Sequence, residues 1–179
     1  MGKLFYIMGK SASGKDTIYQ RLLRNPEFSL ERLVIYTTRP IRDGELDGRE
    51  YHFVTEEDFQ KLKAEGKIIE DRGYETVYGL WRYFTADNMD LEEKTNLGIG
   101  TLESYEKLKA YYGEEKIRPI YIEVEDGERL KRAIAREETQ VVPKYEEKTC
   151  KNNIKSTVFL CTFWQKYNPN CLAIFVPSD

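Results

Sequence analysis

A chain of 179 residues has enough length for one domain with a sizeable core and too little for a second full one. Its 28 basic and 31 acidic residues leave a net charge of −3, and 33% charged against 40% hydrophobic residues is the balance of an ordinary globular protein. That balance excludes a basic nucleic-acid-binding chain, so any anion binding must come from local clusters.

No apolar run approaches the roughly 20 residues of a membrane span. The N-terminal apolar run is too short, and too tightly joined to the glycine loop behind it, for a signal peptide; no membrane association and a cytoplasmic location are expected. The first element is that run, a strand over Leu4 to Met8, and it feeds Gly9-Lys10-Ser11-Ala12-Ser13-Gly14-Lys15. The spacing is G-x-x-x-x-G-K, in which glycines let the backbone curl so that successive N–H groups face phosphate oxygens and the lysine reaches the outer phosphates. A helix is expected over Lys15 to Arg24, whose N-terminus adds partial positive charge. Gly9 to Thr17 are therefore the candidate residues for a nucleoside triphosphate. The residue after Lys15 is Asp16 where a hydroxyl is usual, and Thr17 follows; either can address a Mg²⁺ carried with the triphosphate. The bland alternative is a strand-to-helix turn that binds nothing.

A second strand is expected at Leu33 to Tyr36. Behind it Thr37-Thr38-Arg39-Pro40-Ile41-Arg42 sets two guanidinium groups on a proline-stiffened loop, a pairing that suits a phosphate. Asp43-Gly44-Glu45 and Asp47-Gly48 are turn signals; Tyr51 to Val54, Ile68-Ile69 and Thr76 to Tyr78 read as short strands, and Glu56 to Glu65 as a helix. Residues 37–90 thus form an inserted subdomain in which Tyr51 and Tyr78 offer phenolic donors. The competing reading is a solvated basic loop paired with Glu45, Asp47 and Glu50.

Strands at Thr95 to Ile99 and Ile117 to Val124 then alternate with helices at Thr101 to Tyr112 and Gly127 to Glu138, the pattern of an α/β fold with a parallel sheet wrapped by helices. Arg132 and Arg136 are spaced i, i+4 on one helix face, as a pair converging on phosphates or as partners of neighbouring charges such as Glu128 and Glu137. From Thr149 onward Asp179 is the only acidic residue. Val158 to Leu160 and Leu172 to Val176 are candidate strands in that segment. Cys150, Cys161 and Cys171 match no metal spacing and are read as free thiols, and the single His52 excludes a two-histidine metal site.

The loop at Gly9 to Lys15, then T-T-R-x-x-R at Thr37 to Arg42 with Gly44-Glu45, Asp47-Gly48 and Tyr51-x-Phe53-Val54, resembles the guanylate kinase family. The resemblance runs from Leu4 to Tyr78, continues weakly through Ile117 to Arg136 and fails over the C-terminal tail. It implies a P-loop NTPase-type three-layer α/β fold as one domain over 1–179. The core would comprise 1–36 and 91–179, with a mixed β/α monophosphate-binding insert over about 37–90 and a helical lid over about 127–150. It implies reversible transfer of the γ-phosphoryl group of MgATP to GMP, giving ADP and GDP. ATP would lie on Gly9, Lys10, Ser11, Ala12, Ser13, Gly14, Lys15, Asp16 and Thr17. Arg39, Arg42, Tyr51 and Tyr78 would hold the GMP phosphate, Glu45 would support their loop and Glu70 would accept guanine N–H bonds. Lys15, Arg39, Arg132 and Arg136 would carry catalysis, with Mg²⁺ as cofactor through Asp16 or Thr17 and a monomer or homodimer as the assembly.

Three positions depart from the family pattern: Ile35 stands for a serine, Leu80 for a small hydroxyl residue and Gly100 for an aspartate. Beyond Pro143 to Glu147 the expected helix with a further arginine is replaced by Lys148-Thr149-Cys150-Lys151-Asn152-Asn153. A kinase for another small phosphorylated acceptor and a noncatalytic binding module for a phosphorylated or acidic peptide are the other functions these residues allow.

Overall fold

Strand β1 (Leu4–Gly9) sits at the middle of a five-stranded sheet, and its alternation decides how the molecule is layered. Leu4, Tyr6 and Met8 face one side and pack with Leu33, Tyr105, Leu108 and Ile117; Ile7 faces the other and packs with Tyr19, Leu97, Ile120 and Ile122. Successive strand residues point to opposite faces, so one buried strand supplies two cores. Each buried aliphatic or aromatic side chain contributes about 1.5–3 kcal/mol. The computed structural model describes residues 2–76, 78–88, 91, 93–139 and 172–175.

The sheet order is β2 (Glu31–Arg32), β7 (Asn96–Ile99), β1, β8 (Ile117–Glu123) and β9 (Leu172–Phe175), with every pairing parallel. Helix α1 (Lys15–Arg24) covers one face through Ile18, Tyr19, Leu22 and Leu23. It stops at Asn25, whose side chain accepts from Glu27 N–H at 3.0 Å and turns the chain into a short 3₁₀ segment at Pro26–Phe28. Helix α3 (Leu102–Tyr112) covers the opposite face, with Thr101 capping Ser104 N–H at 3.3 Å. The result is a three-layer α/β core.

A second, mixed sheet has the order β4 (His52–Phe53), β3 (Tyr36–Thr37), β6 (Gly79–Ala86) and β5 (Ile68–Thr76). Helix α2 (Glu56–Ala64) opens with a Thr55/Asp58 capping box and lays Phe59 edge-on against Phe84 of this sheet. Helix α4 (Asp126–Thr139) follows β8.

Two sequence expectations change here. Of the strand expected at Leu33 to Tyr36 only Tyr36 lies in a strand: β2 ends at Arg32 in the parallel sheet, residues 33–35 link the sheets, and β3 begins at Tyr36 in the mixed one. The short strand expected at Ile68-Ile69 opens a nine-residue strand that runs on to Thr76, the first residue of the strand expected at Thr76 to Tyr78, and its eight-residue partner β6 carries no alternating signal. Val158 to Leu160, the three cysteines, residues 148–153 and the lid beyond Thr139 lie outside the described residues. None of the described helices is long and apolar enough to cross a membrane.

Candidate active site

Between β1 and α1 the chain turns through left-handed backbone at Ala12 (φ 61°) and Gly14 (φ 79°). Gly14 is the N-cap of α1 and no side chain of the described residues caps it, so the first-turn N–H groups face the cleft in front of them. Gly9 is required by packing: a Cβ there would meet the Ile122 carbonyl oxygen at 2.7 Å and Ser13 Oγ at 2.9 Å. Ser13 is buried under the loop, and its hydroxyl has no hydrogen-bond partner among the described residues. The cleft is about 410 Å³ and is lined by Ser11, Ala12, Gly14, Lys15, Asp16, Thr17, Arg132 and Arg136. Six residues of the loop-to-helix turn and two arginines more than a hundred positions away therefore meet at one cavity.

Lys10 is not part of that lining. Its ammonium reaches Asp126 at the start of α4, 2.9 Å away, and the same carboxylate oxygen accepts from Arg129 Nη2 at 2.6 Å. Arg129 Nη1 donates in turn to the Ser11 carbonyl at 3.0 Å. This bracket ties α4 to the loop and places Arg132 over the cleft, where Glu128 orients it at 2.8 Å. Asp126 and Arg129 were not singled out from sequence; Asp126 directly precedes the helix expected from Gly127, and its i, i+3 spacing to Arg129 was the available signal.

Asp16 and Thr17, both exposed, line the cleft beside Lys15. Among the described residues no cluster of three His, Cys, Asp or Glu could hold a metal unaided. Mg²⁺ keeps several waters and shares substrate phosphates, needing only one or two protein oxygens, and this donor set fits that demand.

The second constellation is built on the mixed sheet. Buried Thr37 donates to the Arg82 carbonyl at 2.8 Å and accepts from Arg39 N–H at 3.1 Å, which fixes where the arginine leaves the sheet. Arg39 is only 4% exposed. Its guanidinium lies over the rings of Tyr51 and Phe53, 5.4 Å from each centroid, and donates to Glu45 at 2.8 Å and the Pro40 carbonyl at 2.7 Å. Arg42 gives its N–H to the other Glu45 oxygen at 2.8 Å and keeps its side chain exposed. Glu45 therefore organises the loop. Tyr51 meets Tyr83 edge-on at 5.6 Å, and Tyr83 also interacts with Arg39, so Tyr83 joins the clamp that the sequence suggested without it. Tyr78 stands apart, 81% exposed and stacked on Trp81 near the hairpin turn. Asp47 and Glu50 engage the backbone at Phe53 and Leu46, each at 2.8 Å, and Glu50 also takes Arg49 at 2.6 Å rather than Arg39 or Arg42.

Hydrogen bonds from Arg39 first, and then from Arg42 N–H, hold the Glu45 carboxyl below the usual glutamate range despite some burial. A carboxylate depressed in the folded state stabilises it above its unfolded value and loses that contribution as pH falls through its folded value. Glu45→Gln is therefore expected to flatten the loss of stability between about pH 6 and about pH 3 in denaturant titrations. An unchanged slope would contradict the assigned pairing.

Glu70, on β5, is 2% exposed and lies deeper on the same sheet. It accepts from Thr85 Oγ1 at 2.9 Å, Ser104 Oγ at 3.3 Å and Arg72 Nε at 3.1 Å. Gly100 follows β7, and a Cβ there would overlap the phenol oxygen of Tyr6; one at Gly98 would meet the Tyr6 ring at 2.6 Å. Tyr6 thus fills the space in which an aspartate at position 100 would stand. Ile35 packs against the core and Leu80 is partly exposed on the hairpin. Overpacking of this kind costs about 1–3 kcal/mol, so Gly100→Ala is expected to lower unfolding stability by that amount and Tyr6→Phe to restore part of it. A Gly100→Ala protein as stable as its parent would contradict the steric account.

A guanylate kinase family model matches residues 1–158. The chain is similar to a guanylate kinase of Vibrio parahaemolyticus, at 36% identity over 99 residues, 55% of this chain and 45% of that protein. It is also similar to one of Wolbachia sp. subsp. Brugia malayi, at 35% over 124 residues, 69% of this chain and 60% of that protein. The matched stretches thus span about half the length of these relatives. Among solved structures it resembles a guanylate kinase from Anaplasma phagocytophilum with TM-score 0.64 at 20% identity, covering 99% of this chain and 78% of that one; at that identity the likeness concerns the fold.

Proposed function

The chain belongs to the guanylate kinase family, and on that premise we infer that its two constellations are the halves of one phosphoryl-transfer site. ATP lies on the Gly9 to Thr17 turn; GMP lies on the mixed sheet with its phosphate on Arg39, Arg42 and Tyr51. The γ-phosphoryl group moves to the acceptor phosphate, giving ADP and GDP reversibly. The observation that carries this reading is the meeting of Lys15, Arg132 and Arg136 at one loop-lined cavity.

The acceptor oxygen is already ionised, so no general base is required, and the work is positioning and charge neutralisation. Lys15 addresses the outer phosphates, while Arg132 and Arg136 approach the transferring group from α4. The Asp126 bracket fixes α4 against the loop, and Glu45 pre-shapes the acceptor clamp. Mg²⁺, held through Asp16 or Thr17, would neutralise phosphate charge when bound with ATP. In this reading residues 37–90 are the acceptor-binding insert and α4 begins the lid, with residues 1–36 and 91–179 as the core. The same reading has the enzyme working in the cytoplasm as a monomer or homodimer.

A kinase for another phosphorylated acceptor is the second reading, favoured by the Arg72 guanidinium lying on Glu70. ADP formation from ATP and Mg²⁺ with GMP, dGMP, AMP, CMP and UMP tests both. Turnover highest with the guanine nucleotides is the expected result. Turnover confined to AMP, CMP or UMP would favour the second reading, and retained GMP binding without turnover would contradict both in favour of a binding module.

A further inference from the structure

Strand register places a second basic group in the acceptor trough. On β5 Glu70 and Arg72 point to the same face, and across the ladder they pair with Thr85 and Tyr83 of β6. Tyr83 is the ring that meets Tyr51 of the phosphate clamp, so one sheet face runs from Arg39 and Tyr51 through Tyr83 and Arg72 to Glu70. An acceptor whose phosphate sits on Arg39 must lay its base along this face.

The carboxylate at the far end is already occupied. An ionised carboxylate has about four acceptor positions. Those of Glu70 receive Thr85 Oγ1 at 2.9 Å and Arg72 Nη2 at 3.4 Å on one oxygen, with Arg72 Nε at 3.1 Å and Ser104 Oγ at 3.3 Å on the other. The carboxylate of this ion pair is buried and the guanidinium keeps an exposed edge, with Glu70 1% and Arg72 14% exposed. Arg72 Nη1 has no partner among the described residues and keeps its donors. Tyr6 closes the wall where Gly100 leaves no carboxylate.

Resting on the kinase reading above, we propose that Arg72 determines the acceptor base of this chain, reading the O6 and N7 acceptor edge of a 6-oxopurine while its bond to Glu70 withholds the carboxylate from the N1–H and N2–H edge. An arginine fork matches O6 and N7 of guanine, whereas adenine sets an N6 amino donor against it. Hypoxanthine shares O6 and N7 with guanine and lacks only the 2-amino group. The substrate class is therefore 6-oxopurine nucleoside monophosphates, with little selection for the 2-amino group.

The test is calorimetric binding of GMP, IMP and AMP to the whole chain, alongside ADP formation with each, for the parent and for Arg72→Ala and Arg72→Gln. The expected parent binds GMP and IMP within about threefold and AMP at least about tenfold more weakly. Removing the guanidinium frees Glu70 for the N1–H and N2–H donors, so both 6-oxopurines weaken but the preference for GMP over IMP widens to about tenfold or more. A merely structural role for Arg72 would weaken both without changing their ratio, and that result overturns the proposal. So does a parent that prefers GMP over IMP by tenfold or binds AMP as tightly, and the parent ratio decides even where a variant fails to fold. The expected binding pattern without ADP formation would defeat the kinase reading and leave this one standing; ADP formation with strong GMP-over-IMP preference would do the reverse.

Discussion

Replacing Lys15 by methionine is expected to lower kcat by about 10²–10³-fold or more while leaving GMP binding within about threefold of the parent. Methionine keeps an unbranched stem and removes only the charge. The ammonium lines the cleft with Arg132 and Arg136, and its one ion pair among the described residues, to Asp16, spans 3.9 Å, too long for a hydrogen bond. It is therefore poised for a ligand rather than committed to the fold, and unfolding stability should change by no more than about 0.5 kcal/mol, as for a surface site. A methionine variant with parental turnover would remove the loop from the mechanism. One that unfolds would show instead that Lys15 is structural.

Replacing Arg39 by alanine is expected to act on the other half. Charge-assisted hydrogen bonds contribute about 1.5–3 kcal/mol each, so GMP affinity should fall by about 10–10²-fold. Stability should fall as well, because Arg39 is buried and Glu45 would keep its charge without its partner; loss of one member of a buried pair costs up to about 3–5 kcal/mol, and the partial exposure of Glu45 puts this case at the lower end. The double change Arg39→Ala with Glu45→Gln separates the two effects. Stability should recover in part while GMP affinity does not. Recovery of affinity with stability would mean that Arg39 acts only as a brace for its loop.

The half of the site around Lys15 was legible because it is contiguous: an apolar run, a glycine spacing and a helix pattern adjoin, and α1 spans the expected Lys15–Arg24. The Arg39 loop was legible for the same reason, since Arg39, Arg42 and Glu45 meet within a single turn of chain. What sequence reading missed is nonlocal. Lys10 finds Asp126 across 116 positions and Ser104 finds Glu70 across 34, and neither pairing leaves a mark in spacing. Glu70 to Thr76 mixes charged and polar residues on both faces, so β5 and its partner β6 show no alternation; the hairpin register creates them. Gly100 read as a departure from the family pattern, and only the Tyr6 phenol seated against it explains why a side chain is excluded.

One transfer between two nucleotides, served by the loop at Lys15 and the clamp at Arg39, leaves a direct signature. Phosphorus NMR of the protein mixed with ATP, Mg²⁺ and GMP follows every phosphoryl group at once. ADP and GDP are expected to appear in equal amounts with no inorganic phosphate. Inorganic phosphate beside unchanged GMP, or ATP that is bound and never consumed, would contradict that transfer.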